Sequence, residues 1–216
     1  MAVRVTLILL AVTYFLVFIG SACVSLSIGI TQIKWNGRCL LFASGKWYHE
    51  GHWIFRWVSQ TSTHTPCSFV SITSALSAVN AMLMFIYCMY TLLSKSRQGQ
   101  DIVTLIPAVL SVLKTILLLA CAIVISAGLA VFCEAITSNR NIAPTCRDAQ
   151  TNINWHTVDG SNFYDITNFA QLAGWALFGC SLILNGILFF RLRQDLKSPR
   201  PSDLATLTES DERHGL

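Results

Sequence analysis

The chain has 216 residues, of which 53% are hydrophobic and only 12% charged, with a formal charge of +4. Soluble domains carry about 25% charged residues, so too few are present here to coat a water-facing surface. The bases are scattered, which excludes the concentrated basic face of a nucleic-acid-binding protein, and the length suits one domain with at most a small appendage.

A helix that spans a bilayer needs about 20 mostly apolar residues. Four stretches qualify, at about 5–30, 69–93, 104–133 and 168–190. The first has a competing reading as a cleavable signal peptide, with Gly20, Ser21 and Ala22 as small residues at a cleavage site. Apolar and small residues continue to Ile30, beyond a usual signal core, which favours a retained helix.

Residues 31–68 form the first long loop. Its middle reads as a β-hairpin: Cys39-Leu40-Leu41-Phe42-Ala43 is one apolar run, and Trp53-Ile54-Phe55-Arg56-Trp57-Val58 is an aromatic and β-branched one. Gly45 and Gly51 bracket the expected turn. Trp35, Trp47, Trp53 and Trp57 gather in this loop. Packing of a small sheet above a bilayer accounts for them; the alternative makes Trp47, Trp53 and Trp57 a partner-binding surface, since aromatics anchor interfaces. His49-Glu50-Gly51-His52 lacks the four-residue His spacing of a zinc helix and reads as a solvated turn, so no metal is expected.

The second span carries Ser71, Ser74, Ala75, Ser77, Ala78 and Ala81, small residues that let membrane helices pack closely. The third carries Lys114, the one charge away from the ends of the spans. Lys114 either snorkels to the headgroups or marks an intramembrane polar site with Asn80 and Asn185. Residues 134–167 form the second long loop, and the fourth span follows. The last segment, 191–216, turns basic and then acidic and reads as a disordered cytoplasmic tail.

Four crossings put both termini on one side. Arg4, Lys95, Arg97, Arg191, Arg193, Lys197 and Arg200 lie near span ends on that side, which the positive-inside rule makes cytoplasmic. Cysteine supplies an independent argument. Of eight, Cys39, Cys67, Cys133 and Cys146 fall in or beside the two long loops, and none falls in the middle loop or the tail. Disulfides form in oxidising compartments, so the long loops face outward or into a lumen. Four cysteines allow three pairings; cheaper local ring closure favours Cys39 with Cys67 and Cys133 with Cys146.

The spans contain no Asp or Glu away from their ends, no paired catalytic groups and no Gly/Pro-broken helix pair. These are the groups that proton-coupled carriers, cation pores and intramembrane proteases use. The expectation is a protein that is no enzyme and needs no cofactor. It would be a scaffold or accessory protein in a plasma membrane or endomembrane, acting on other membrane proteins through its loops and helix faces. The alternatives are a subunit of an oligomeric channel or transporter and a vesicle or junction organiser.

One series of motifs resembles a known family. Gly37-Arg38-Cys39-Leu40-Leu41-Phe42 followed by Gly45 and Trp47, then Cys67-Ser68-Phe69, Cys133-Glu134-Ala135-Ile136-Thr137, Cys146, and Asn162-Phe163-Tyr164-Asp165 before Ala170-Gln171 are similar to the transmembrane protein 179 family. The resemblance implies a four-transmembrane-helix bundle of claudin-like, tetraspan architecture with a small extracellular sheet stapled by disulfide. It implies no activity. The Gly-Leu-Trp motif and closely spaced cysteine pair of claudins are absent from the chain.

Overall fold

The computed structural model describes residues 2–50, 52–57, 65–93, 105–138, 143–153, 155 and 158–197. In chain order they form α1 (Ala2–Lys34), β1 (Gly45–Glu50), β2 (His52–Trp57), α2 (Thr65–Leu93), α3 (Leu105–Thr137), α4 (Cys146–Asn152) and α5 (Phe163–Lys197).

α1, α2, α3 and α5 are long and apolar enough to cross a membrane, with spans of 29 to 31 residues. Hydroxyls within these helices turn back on their own backbone. Thr115 Oγ1 donates to Ser111 O at 2.8 Å, Ser126 Oγ to Ala122 O at 2.8 Å and Thr167 Oγ1 to Phe163 O at 2.7 Å. Such bonds satisfy a hydroxyl where no water is present. The outward faces are apolar: Leu83 and Ile183 are each 61% exposed, as lipid-facing side chains are.

Within the bundle α1 lies between α2 and α5, and α3 lies against α5 and more sparsely against α2. Small residues bring the helices together, as the second span's composition leads one to expect. Ser21 Oγ donates to Ser77 Oγ at 3.1 Å and Ser25 Oγ to Ser71 O at 3.3 Å across α1 and α2. A Cβ on Gly174 of α5 would lie 3.7 Å from the Ala122 Cα of α3.

A helix of about 30 residues is ~45 Å long, against ~30 Å of hydrocarbon. The helix ends therefore stand clear of the membrane, and at one end they carry both long loops. α1 stops there in a Schellman turn. Asn36 takes a left-handed φ of 51°, its N–H donates to Ile33 O at 3.1 Å, and the Gly37 N–H donates to Gln32 O at 2.8 Å.

Three expectations need adjustment. The hairpin's first strand is Gly45–Glu50, not the apolar run at 39–43, and it pairs antiparallel with His52–Trp57, Trp47 opposite Phe55 and Glu50 opposite His52. The run at 39–43 is not a strand because it turns, the Ala43 N–H donating to Leu40 O at 3.1 Å, and Leu40, Leu41 and Ala43 are 1–2% exposed in the bundle top. There Phe42 bends with a φ of 62° and its N–H donates to Gly128 O at 3.3 Å. The helices are also longer than the apolar blocks, because polar residues beyond the hydrocarbon continue the helical turns. α5 runs past Phe190 to Lys197, and the rest of the segment expected as a tail lies outside the described residues. Finally, the second long loop contains the short helix α4. Thr145 caps it, its Oγ1 accepting from Asp148 N at 3.1 Å.

Candidate functional site

Two groups of residues stand out, one above the membrane and one within it. The first is an outer layer built on the loop ends of α1, α3 and α5. Trp35, in the turn that ends α1, is 1% exposed and forms its centre. Its ring meets Phe132, Trp155 and Phe163 edge-on, at centroid distances of 5.9, 5.3 and 6.2 Å. These are the T-shaped contacts that aromatic quadrupoles favour. Leu40 and Ala43 of loop one and Ala149 and Ile153 of loop two join the same core.

Each loop is tied down several times. Cys39 joins Cys67, with Cα atoms 5.6 Å apart, and Cys133 joins Cys146, at 5.2 Å. The first bond links the start of loop one to the start of α2; the second links α3 to α4. Gly128 of α3 lets loop one come close: a Cβ there would lie 2.7 Å from Leu41 Cβ. Gly160 does the same in loop two, where a Cβ would collide with the Trp155 ring. The Lys34 ammonium pairs with the Asp159 carboxylate at 3.1 Å, and the Asp159 N–H donates to Lys34 O at 3.2 Å. Gln150 Nε2 donates to Asp165 Oδ2 at 2.8 Å, which ties α4 to the first turn of α5. The Ser161 hydroxyl and N–H, and then Lys34, hold the Asp159 carboxyl down at about 2.

Of the three tryptophans considered as an interaction surface, Trp47 packs against this layer and its indole N–H donates to Ile136 O at 3.1 Å. The hairpin is thereby docked on α3. Trp53 and Trp57 lie on β2, opposite His49 and Gly45; their side chains lie outside the described residues, as do those of His49 and His52. Among the described residues no cluster of His, Cys, Asp and Glu gathers to hold a metal ion.

The second group lies within the spans, toward the chain's termini. The Lys114 ammonium sits 5.7 Å from the centre of the Tyr14 ring, a cation–π contact across the bundle. Beside it, Asn185 Nδ2 donates to Thr115 Oγ1 at 2.9 Å. Lys114 thus faces Tyr14 of α1, while Asn185 of α5 meets Thr115, the next residue of α3. Asn80 is exposed on the surface of α2, next to Ala81, which packs in the cluster that holds Tyr14.

Sequence reasoning had no account of Gly128, Gly160 or Asp159, and met Phe163 only within a family motif. A signal for α4 was present, since Thr145 and Asp148 have the spacing of a capping box. The two glycines carried no such signal, because both are defined by a neighbour distant in sequence or by a side chain's placement.

Four membrane-capable helices beneath a disulfide-held outer layer define a multi-pass membrane protein of claudin-like architecture. The family model for the Transmembrane protein 179/179B Claudin domain matches residues 6–214. The chain belongs to that family. No solved structure matches it.

Proposed function

We propose that this protein is a non-enzymatic accessory or scaffold protein, with both termini in the cytosol, that engages other membrane proteins through its outer layer. The observation that carries this reading is the construction of that layer. Two disulfides, an aromatic core and the Lys34–Asp159 pair hold both loops to the helix ends, and a two-stranded hairpin is docked on α3 through Trp47. A preformed platform loses little conformational entropy on binding, which is what a recognition surface needs. The charge bias and the one-sided cysteines support the orientation.

Crosslinking and pull-down from native membranes, with the wild-type chain and with Trp53→Ala/Trp57→Ala, tests the reading. A reproducible membrane-protein partner that the double variant loses supports it. Failure to capture any reproducible partner, or capture unaffected by the hairpin substitutions, overturns it.

A further inference from the structure

The register of the hairpin sorts its residues between two faces. Gly45 and Trp57, Trp47 and Phe55, and His49 and Trp53 are opposite one another on one face. Lys46 and Arg56, Tyr48 and Ile54, and Glu50 and His52 are opposite one another on the other. Trp47 packs against the outer layer's core and donates to Ile136 O, so the first face is the one seated on the bundle. The second is turned away from it. Lys46, on that second face, is exposed and forms no ion pair among the described residues.

Charge is spread unevenly over the outward face. At the hairpin's base, two cationic residues stand directly opposite, a position that sets Cβ atoms about 4.5–5.5 Å apart. Like charges placed so destabilise a sheet, and a hairpin of two strands is marginally stable to begin with. The carboxylates of the outer layer are engaged elsewhere. Asp159 is paired with Lys34, Asp165 is held by Gln150 and Arg147, and Asp148 accepts from Thr145. Glu134, in the last turn of α3, forms no ion pair among the described residues. Glu50 shares the face but stands four residues along β1 from Lys46, about 13–14 Å away, with the Tyr48–Ile54 pair between.

We infer that the Lys46–Arg56 pair, with the neighbouring Tyr48–Ile54 pair, is the docking surface for an acidic segment of a partner membrane protein, a segment that sets a carboxylate beside an apolar residue. This rests on the outer layer's role proposed above and names the chemistry of its partner. A carboxylate shared by the two cations cancels their repulsion, so binding draws on attraction and on relief of the hairpin's own cost. The face suits a short acidic motif better than a sulfated polysaccharide. A polyanion calls for a run of cations, and one laid along this hairpin meets Glu50 at its other end. Trp53 and Trp57 belong to the seated face, so their truncation reaches the docking surface by loosening the hairpin.

The test starts with the full chain in native membranes treated with a carbodiimide, which joins an amine to a carboxylate in contact with it. Peptide mapping should find Lys46 joined to an Asp or Glu of another membrane protein. Lys46 joined instead to Glu50 of a second copy, read from mixed isotopically light and heavy chains, would overturn the assignment, as would the lack of any Lys46 product. Retention of the identified partner without crosslinker then measures the site. Lys46→Glu should lower it about tenfold or more, because repulsion replaces attraction; Lys46→Arg should keep most of it, and added salt should weaken it. Lys46→Glu also sets opposite charges in register, so amide exchange across 45–50 and 52–57 should be unchanged or slower. Faster exchange would mean that Lys46 supports the hairpin itself and would overturn the site. A partner lost by Trp53→Ala/Trp57→Ala but kept by Lys46→Glu would overturn this inference alone and leave the outer layer's role standing. Soluble heparin bound by the wild type and not by Lys46→Glu would assign a sulfated polysaccharide and overturn the acidic segment.

Discussion

The two ends of this molecule are built by different physics. At the loop end the helices leave the bilayer, and Trp35, Phe132 and Phe163 are buried together with Trp155 packed against them. There the hydrophobic effect rewards burial. Several polar groups pair around them: Lys34 with Asp159, Gln150 Nε2 with Asp165, the Trp47 indole with Ile136 O. In the terminal half the surround is lipid, which is as apolar as the helix surfaces, so association rests on close packing and hydrogen bonds. That half contains Tyr14 in a buried apolar cluster, with Lys114 over its ring and Asn185 bonded to Thr115. The contrast teaches that the same chain holds its two ends by different means, burial and crosslinks above the bilayer and close packing with a few cross-helix hydrogen bonds within it.

The sharpest way to break the contrast is to remove the centre of the outer layer. Trp35→Ala should cost about 3–5 kcal/mol, the range for truncating a large buried aromatic. Thermal unfolding in detergent measures it. The comparison fails if an aromatic truncation in the spans, such as Phe85→Ala, costs as much. Next in size is the first disulfide. Cys39→Ser/Cys67→Ser opens a ring with a sequence separation of 28, worth about 3–4 kcal/mol in the chain-entropy account. The same double substitution should leave the spanning helices intact by circular dichroism.

How much of this was legible in the sequence depended on the distance over which each feature is decided. The four spans were readable because a span is a local property: about 20 apolar residues in succession suffice. The second strand was readable from Trp53-Ile54-Phe55 for the same reason. The first was misplaced because residues 39–43 are a short apolar run, as a buried strand is, while their actual role is to fill the top of the bundle. Only the presence of Gly128, nearly ninety residues away in the chain, leaves room for Leu41 there. Trp35 was visible as an aromatic in loop one, but its partners Phe132, Trp155 and Phe163 come from three other segments. At the intramembrane cluster Lys114 and Asn185 were legible as rare polar residues in apolar blocks. Asn80 had the same appearance, and only the packing of α2 leaves it exposed.

Gly128 gives a test in which two effects of opposite sign compete. In an isolated helix, Gly→Ala gains about 1 kcal/mol from propensity. Here the new methyl would stand 2.7 Å from Leu41 Cβ and 3.2 Å from its Cα, so loop one must shift. Overpacking of that kind costs about 1–3 kcal/mol. Gly128→Ala should therefore lower the melting temperature and speed reduction of the Cys39–Cys67 bond by added thiol. A higher melting temperature would mean that loop one is not seated on α3, and the outer layer would lose half of its construction.

The smallest effect sharpens the comparison by pH. The Asp159 carboxyl is held below its ordinary value of 3.8, at about 2, by Ser161 first and then by Lys34. A group depressed in this way stabilises the fold fully above its unfolded value, and the contribution fades as pH falls from about 4 through about 2. The carboxylate is exposed, so the effect on global stability should be slight. Its local effect should still be visible, because Asp159 fixes loop two to the end of α1 through both its side chain and its N–H. Between pH 7 and pH 5 amide exchange in residues 158–161, corrected for intrinsic rates, should not change; below pH 4 it should rise, and Asp159→Asn should show that raised exchange already at pH 7. A rise between pH 7 and pH 5 would point to a different titrating group and would remove Asp159 from the set of contacts that hold the outer layer together.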